Sequence, residues 1–223
     1  MARQRSVFDI VGPIMIGPSS SHTAGAVRLG ALARAVFGEQ PTKARIGLHG
    51  SFDSTGRGHG TDLALVAGLL GWPPDDGRIP DSFEEARRAG LDFEFASVDL
   101  GEVHPNTALF ELHGAQGRTM RIQGASLGGG AVVVTDIDGF GVEISGELPV
   151  LVVEHYDQPG EIASISGILA KSGINIARMQ VSRERRGARA LMLIETDSPA
   201  DEPTCDLMRA QPGIIDVQSV ATV

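Results

Sequence analysis

The sequence has few of the residues that bind metals or form covalent cofactor adducts. One of its 223 residues is cysteine, Cys205, so no disulfide and no cysteine-ligated iron–sulfur cluster or zinc site can form within the chain. Two residues are lysine, Lys43 and Lys171, and neither lies in the glycine-rich setting of a pyridoxal-phosphate Schiff base. The composition therefore excludes a self-contained cluster and argues against a pyridoxal-phosphate enzyme.

Long apolar runs and an excess of basic charge are also missing. The apolar stretches 131–135 and 148–153 are far shorter than the roughly 20 residues of a membrane-spanning helix. The N-terminal segment is interrupted by Asp9, Gly12 and Pro13, so we expect no signal peptide and a cytoplasmic location. A net charge of −9 argues against nucleic-acid binding, and 42% hydrophobic residues suffice for a folded core.

The distribution of aromatic residues indicates a domain boundary near residue 147. All eight phenylalanines and the single tryptophan precede it, whereas Tyr156 is the one aromatic residue after it. We predict an α+β domain over residues 1–147, whose strands mostly follow its helices, and a second domain over residues 148–223. The second domain is expected to have the β-α-β-β-α-β order of a ferredoxin-like fold, because six elements of suitable length follow one another.

A run of five hydrogen-bonding side chains opens the first predicted helix, residues 21–37. The run consists of Ser19, Ser20, Ser21, His22 and Thr23. The unpaired N–H groups of a first helical turn and the helix dipole favour a carboxylate or phosphate at such a position. The simpler interpretation is a helix cap beside a solvated histidine. Since one cap needs one serine, the run exceeds what a cap requires.

The segment 50–60 is rich in glycine and is predicted to be a loop between a strand and a helix over residues 61–70. Its glycines would let the backbone approach a ligand closely, but their order matches neither a P-loop nor a dinucleotide fingerprint. His59 is the titratable group of this segment suited to accept a proton near neutral pH. A flexible connection without function is the alternative interpretation.

Two further segments combine polar residues with turn formers. His104 precedes a proline and is expected to be extended, with Asn106 and Thr107 following it. The segment 126–130, Ser-Leu-Gly-Gly-Gly, is expected to be a tight turn. Considered singly, each segment is most simply interpreted as a turn.

Together, the segments 17–23, 50–62, 104–107 and 126–130 resemble the iron–sulfur-dependent L-serine dehydratases, in particular the beta chain of the two-chain form. The resemblance covers essentially the whole chain. The second domain resembles an ACT domain, and the first is similar to the allosteric-substrate-binding domain of some phosphoglycerate dehydrogenases. The family converts L-serine to pyruvate and ammonia. The resemblance implies an enzyme subunit that is inactive without a separate alpha chain, which holds the [4Fe–4S] cluster.

The resemblance also implies roles for individual residues. His59 is the expected base for the Cα proton of serine, facing the cluster across the substrate. Substrate contacts are expected from ten polar residues: Ser19, Ser20, Ser21, His22, Thr23, Thr61, Asp62, His104, Asn106 and Thr107. The alternative is a non-catalytic amino-acid-sensing module related to phosphoglycerate dehydrogenase regulatory domains. Such a module would need neither the His59 segment nor the serine–histidine run.

The ACT-like domain carries its own expectation. Pairing of ACT domains covers an exposed edge strand, so we expect a homodimer. His155, Asp157 and Asn175 have the spacing of the ligand contacts in serine-binding ACT domains. Asp157 stands where those proteins have asparagine, and a carboxylate can accept from an ammonium group but cannot donate to a carboxylate. We therefore expect L-serine to act as effector as well as substrate; the alternative is that these polar residues are merely solvated.

Overall fold

The computed structural model describes residues 14–223, and the chain divides into two compact units between Asp138 and Gly139. In the first unit a π-helical turn, Ser20–Ala24, leads directly into the first α-helix. The α-helices are α1 (Gly25–Phe37), α2 (Ser51–His59), α3 (Thr61–Leu69) and α4 (Ser82–Arg88). The strands are β1 (Lys43–Leu48), β2 (Asp92–Ser97), β3 (Thr107–His113), β4 (Thr119–Gly128) and β5 (Ala131–Ile137). No helix within the described residues is both long and apolar enough to cross a membrane.

The five strands of the first unit are neighbours in the order β2-β1-β3-β4-β5 within a six-stranded sheet. β1 and β2 are parallel, and the other neighbours are antiparallel. A parallel pair needs a long crossover, and here it contains α2, α3 and α4. α1 packs against β4, β5 and α3. The mixed α+β architecture predicted for this part of the chain is confirmed.

Two glycines allow α1 and α3 to pack closely. A Cβ atom on Gly30 would lie 2.4 Å from the carbonyl oxygen of Leu65, and one on Gly68 would lie 2.1 Å from that of Val27. Neither position can hold a larger residue without moving a helix. The crossing of α1 and α3 therefore fixes the start of α3 relative to the turn that precedes α1. The start of α3 and this turn both contain predicted site residues.

The segment 50–60 differs from the prediction of a loop, because Ser51–His59 form the helix α2. Glycines inside a helix cost stability, which is why the sequence favours a loop. Packing outweighs this cost: the ring of Phe52 is fully buried. Within the segment 50–60, left-handed backbone occurs at Gly50 and Gly60, which flank the helix.

The segment 126–130 also differs from the predicted tight turn. Its first three residues continue the strand β4, and the turn to β5 is limited to Gly129 and Gly130. The pairing of β4 with β5 is irregular between Ser126 and Gly128. The strand extends further than propensity indicates because Ser126 is fully buried and its backbone N–H donates to the carbonyl oxygen of Asn106, in the turn before β3.

The second unit has the predicted ferredoxin-like order. After β6 (Phe140–Ile144), its elements are β7 (Val150–Tyr156), α5 (Glu161–Lys171), β8 (Ile176–Arg183), β9 (Arg189–Thr196), α6 (Glu202–Arg209) and β10 (Ile214–Val220). The antiparallel sheet has the order β10-β7-β9-β8. Its core contains Leu151, Val153, Ile165, Leu169, Met192, Ile194, Ala200, Cys205, Met208 and Val217. The predicted β-α-β-β-α-β fold is confirmed.

The strand β6 groups with the second unit through contacts to β8. Arg178 forms an ion pair with Glu143, with 3.0 Å between Nη2 and Oε2. The side-chain amide of Gln180 donates to the carbonyl oxygen of Gly141 at 3.1 Å. The compact units divide before β6, and the domain boundary near residue 147 stays a prediction.

Candidate active site

The serine run forms the π-helical turn before α1. Ser19 caps this turn, and its Oγ accepts a hydrogen bond from the backbone N–H of His22 at 3.2 Å. The same Oγ lies 3.4 Å from Oγ of Ser21. Ser20 accepts the backbone N–H of Gly25 through its carbonyl oxygen. One serine thus acts as a cap, and the hydroxyls of the other two are left for other partners.

His22 has hydrogen-bond partners at both ring nitrogens. Its Nδ1 lies 3.3 Å from Oγ of Ser21. Its Nε2 lies 3.1 Å from Oγ of Ser51 and 3.1 Å from Oγ1 of Thr55. The ring also meets Phe52 edge to face, with 5.4 Å between centroids. These contacts hold the run of residues 19–23 against α2, the helix formed by the segment 50–60.

A second histidine lies beside His22. The ring centroids of His22 and His59 are 5.0 Å apart. Burial lowers the pKa of His22 below its ordinary value, and His59 lowers it further, whereas the contact with Ser51 raises it. The lowering causes outweigh the raising one, so His22 is a neutral imidazole at neutral pH.

His59 ends α2, and its ring is partly exposed. Its Nδ1 lies 3.0 Å from the carbonyl oxygen of Thr55. Because a carbonyl oxygen only accepts, Nδ1 carries the hydrogen and the neutral ring has its lone pair on Nε2. No hydrogen-bond partner of Nε2 is found among the described residues. This nitrogen can accept a proton from a substrate.

Three predicted residues hold the junction between α2 and α3. Thr23 is buried, and its hydroxyl donates to the carbonyl oxygen of His59 at 3.3 Å. Thr61 is fully buried, and its hydroxyl has no partner within the described part of the chain. Oδ1 of Asp62 accepts the backbone N–H of Leu63 at 2.9 Å. Of these side chains, Thr23 is the one that contacts the end of α2, where His59 lies.

The predicted residues before β3 form a turn that reaches the serine run through Ser126. The backbone N–H of Asn106 donates to Nδ1 of His104 at 3.1 Å, and the hydroxyl of Thr107 donates to the carbonyl oxygen of His104. The carbonyl oxygen of Asn106 accepts the N–H of Ser126 at 3.0 Å. The buried hydroxyl of Ser126 donates to the carbonyl oxygen of Ser21 at 2.9 Å. Four segments distant in sequence therefore meet.

The same turn also contacts the start of α2. The carbonyl oxygen of Pro105 accepts the backbone N–H of Ser51 at 2.8 Å. A Cβ atom on Gly50 would lie 2.7 Å from this oxygen, and Gly50 has a φ of 58°. Glycine is therefore required at this position for both its backbone conformation and the close approach.

Sequence reasoning missed Ser51, Thr55 and Ser126 as members of the site. Ser51, Thr55 and His59 are spaced four residues apart, which places them on one face of a helix. That signal is present in the sequence, but it has meaning only if the segment is helical. The local pattern around Ser126 predicts a turn and does not indicate its contacts with Asn106 and Ser21, which are distant in sequence.

The residues of this chain do not fit an iron–sulfur cluster. Within residues 14–223, no group of three or more histidine, cysteine, aspartate or glutamate side chains is arranged to hold a metal ion. Cys205 is buried in the core of the second unit, where burial raises the pKa of its thiol. A cluster takes several thiolates, and this chain has one.

In the second unit, His155 is buried with one ring nitrogen unsatisfied. The residue is 2% exposed, and its Nδ1 lies 2.8 Å from the carbonyl oxygen of Tyr156. Nδ1 therefore carries the hydrogen. Nε2 is buried and has no partner among the residues described. The interpretation of His155 as a solvated residue is wrong.

Asp157 and Asn175 have partners of their own. Asp157 accepts the N–H of Gly187 at 3.1 Å and Nη1 of Arg183 at 2.8 Å, and these contacts lower the pKa of its carboxyl. Asn175 is exposed and donates to Oδ2 of Asp197 at 2.7 Å. No hydrogen bond in the described residues joins Asn175 to Asp157, so the structure does not bring these two predicted residues together.

Comparison with known proteins follows the two units. The family model for the serine dehydratase beta chain matches residues 6–94, and the ACT domain model matches residues 149–204. The chain is 43% identical over 219 residues to "Probable L-serine dehydratase, beta chain" of Bacillus subtilis, covering 98% of this chain and 99% of that one. It is 39% identical over 198 residues to "L-serine dehydratase, beta chain" of Peptoniphilus asaccharolyticus, covering 88% and 89%. The chain belongs to the L-serine dehydratase beta-chain family.

A shorter similarity links the chain to a different enzyme. The chain is 34% identical over 85 residues to a D-3-phosphoglycerate dehydrogenase of Methanocaldococcus jannaschii, covering 38% of this chain and 16% of that one. The match to the beta chains extends over nearly the whole of both proteins, whereas this one covers a fraction of each. The alternative of a phosphoglycerate-dehydrogenase-like regulatory module is therefore the weaker one.

Proposed function

We propose that this chain supplies the catalytic base of an L-serine dehydratase, which converts L-serine to pyruvate and ammonia. The observation that carries the proposal is the state of His59. Its Nδ1–H is bonded to the carbonyl oxygen of Thr55 at 3.0 Å, and its Nε2 lone pair has no partner within the described part of the chain. A ring fixed at one nitrogen and open at the other is what a general base requires.

The reaction uses this nitrogen to remove a weakly acidic proton. Nε2 of His59 takes the Cα proton of serine, the electron pair forms the Cα–Cβ double bond, and hydroxide leaves from Cβ. The resulting aminoacrylate becomes an imine, which water hydrolyses to pyruvate and ammonia. His22 stays neutral beside the base, so it does not repel the imidazolium that His59 becomes.

The predicted substrate contacts divide by burial. We assign contact with the serine carboxylate to the partly exposed residues Ser20, Ser21 and His22, which stand at the start of a helix beside His59. We assign the other predicted residues to the structural support of the site, through the hydrogen bonds and the burial described above. They are Ser19, Thr23, Thr61, Asp62, His104, Asn106 and Thr107.

The departure of hydroxide needs help that this chain does not provide. We propose that a separate alpha chain ligates a [4Fe–4S] cluster opposite His59, because the residues present here do not fit one. A cluster with an open iron would supply a Lewis acid for the hydroxyl group. The active site is then shared, and this chain alone is inactive.

The second unit is proposed as the regulatory part. We propose that L-serine binds at His155, Asp157 and Asn175, since the buried Nε2 of His155 lacks a donor that an amino acid could supply. β8 and β10 lie at the edges of the sheet, and pairing of such an edge between two copies would give a homodimer. The location proposed for the assembly is the cytoplasm.

The test is anaerobic co-purification with a candidate alpha chain, followed by a serine dehydration assay. We expect the two chains to purify together and to form pyruvate from L-serine, with neither chain active alone. Serine dehydration by the purified chain without a cluster would overturn the shared site. Failure of a stable, cluster-loaded pair to dehydrate L-serine would overturn the proposed function.

A further inference from the structure

One face of α2 carries the contacts that join the two histidines. Ser51, Thr55 and His59 are four residues apart, so their side chains share one side of the helix. The hydroxyl oxygens of Ser51 and Thr55 lie 3.3 Å from each other, and each lies 3.1 Å from Nε2 of His22. Neither residue belongs to the predicted substrate contacts or to the base itself.

Thr55 has a polar contact with each histidine. Its hydroxyl donates to the carbonyl oxygen of Ser51 at 2.8 Å, and a carbonyl can only accept. The hydrogen of the Thr55 hydroxyl is therefore used, and its oxygen accepts from Nε2–H of His22. The carbonyl oxygen of Thr55 accepts from Nδ1–H of His59 at 3.0 Å. One residue thus fixes the hydrogen position in both rings.

The other nitrogen of His22 agrees with this assignment. With its hydrogen on Nε2, His22 has its lone pair on Nδ1, which lies 3.3 Å from Oγ of Ser21. The Ser21 hydroxyl can donate to that lone pair, so both nitrogens of the neutral ring are satisfied. A hydrogen on Nδ1 would instead place the Nε2 lone pair against the Thr55 oxygen, whose own hydrogen is already donated to Ser51.

We propose that Thr55 is a positioning residue of the dehydration reaction, which holds His22 as the neutral Nε2–H tautomer against His59. A neutral ring whose centroid is 5.0 Å away allows His59 to take up a proton, whereas an imidazolium there would oppose it. Ser51 completes the contact to His22. The inference rests on the proposed function, because it assumes that His59 removes the Cα proton.

The state of His22 in the fold supports the proposal. Burial and the neighbouring His59 lower the pKa of His22. His59 faces it from α2 and is the titratable neighbour among the described residues that lowers its pKa. The neutral form is thus the one that the surroundings favour before any substrate binds.

The first test compares Thr55→Val, which keeps the shape but removes the hydroxyl, with Thr55→Ser, which keeps the hydroxyl. In the reconstituted pair we expect Thr55→Val to lower kcat about tenfold, the worth of one hydrogen bond, with little change in KM. Thr55→Ser should retain kcat. Ser54→Ala is the matched control, since Ser54 is exposed on the same helix. Equal kcat in wild type and Thr55→Val would overturn the proposal.

The second readout needs no turnover. Nitrogen chemical shifts of the histidine rings, measured on this chain alone, should report His22 as the Nε2–H tautomer in wild type and Thr55→Ser, and a mixture in Thr55→Val. An unchanged His22 signal in Thr55→Val contradicts the inference. If Thr55→Val does not fold, the Thr55→Ser spectrum and Ser51→Ala, which removes the other hydroxyl, carry the same comparison. An inactive wild-type pair would defeat the proposed function, whereas the tautomer would still be measured.

Discussion

The two units hold their key histidines in the same tautomer but in opposite surroundings. His59 and His155 each direct Nδ1 toward a backbone carbonyl oxygen, at 3.0 Å and 2.8 Å, so each has its lone pair on Nε2. The Nε2 of His59 is at a partly exposed helix end, whereas that of His155 is buried and has no partner in the part of the chain that the structure describes. An accessible lone pair can act on a substrate that comes and goes. An enclosed one costs free energy until a ligand supplies a donor.

The largest effect should follow from removing the accessible lone pair. We expect His59→Asn to lower kcat of the reconstituted pair by about 10²–10⁴-fold, the usual contribution of a general base, with KM for serine little changed. His113→Asn is the matched control, because His113 is exposed at the end of β3 and away from the motifs. The measurement is pyruvate formation from L-serine. A His59→Asn pair that works at the wild-type rate would remove His59 from the role of base.

The next largest effect concerns the crossing that positions the first site. Gly68→Ala would bring a Cβ to 2.1 Å from the carbonyl oxygen of Val27, so we expect unfolding free energy to fall by about 1–3 kcal/mol. Gly58→Ala is the control: nothing lies within 4 Å of its Cβ, and it sits inside α2. It should raise the unfolding free energy by about 0.5–1 kcal/mol. Denaturant unfolding measures both, and equal stability of the two variants would contradict the described crossing.

A smaller effect is expected for the enclosed lone pair of the second unit. His155→Leu removes the unsatisfied nitrogen, so the fold should keep its stability while serine binding to the full chain weakens by about tenfold or more. Tyr156→Phe is the control, since that side chain is exposed next to it. Isothermal calorimetry gives the affinity. Wild-type affinity in His155→Leu would place the effector elsewhere.

The sequence predicts the two units unequally for a physical reason. In the second unit each element has its own apolar pattern and flanking turn residues, so local information is enough to predict the order of the six elements. In the first unit the site is joined by distant contacts. The hydrogen bond from Ser126 to Ser21 connects residues 105 apart in the chain. Local propensity carries no information about such a contact.

α2 shows how a wrong local prediction hides site residues. Its internal glycines disfavour a helix, and the buried ring of Phe52 together with the backbone bond from Ser51 to Pro105 outweighs them. Once the segment is helical, the four-residue spacing of Ser51, Thr55 and His59 places them on one face. The motif therefore indicated His59 but not the hydroxyls of Ser51 and Thr55 that contact the neighbouring His22.

The smallest expected effect is a difference between the two units in how the unfolding free energy depends on pH. The pKa of His22 is lowered in the fold, so the unfolded chain binds a proton there first as the pH falls below about 6.5. Unfolding free energy should therefore be highest above that value and decline as the pH drops toward the lowered pKa. His22→Gln cannot titrate, and its decline between pH 7.5 and 5 should be shallower.

Asp157 provides the contrast in the second unit. Thermal unfolding measured over a series of pH values tests both residues. Its pKa is lowered by the Gly187 N–H and by Arg183, so its contribution is present above about pH 4 and is lost as the pH falls through its lowered value. Asp157→Asn should change the pH dependence of Tm only in that acid range. His22→Gln should change it at higher pH, from about pH 6.5 downward to the lowered pKa of His22. Identical slopes of Tm against pH for wild type and His22→Gln between pH 7.5 and 5 would show that His22 is not held neutral. The two units would then not differ in the pH range over which a lowered pKa affects their stability.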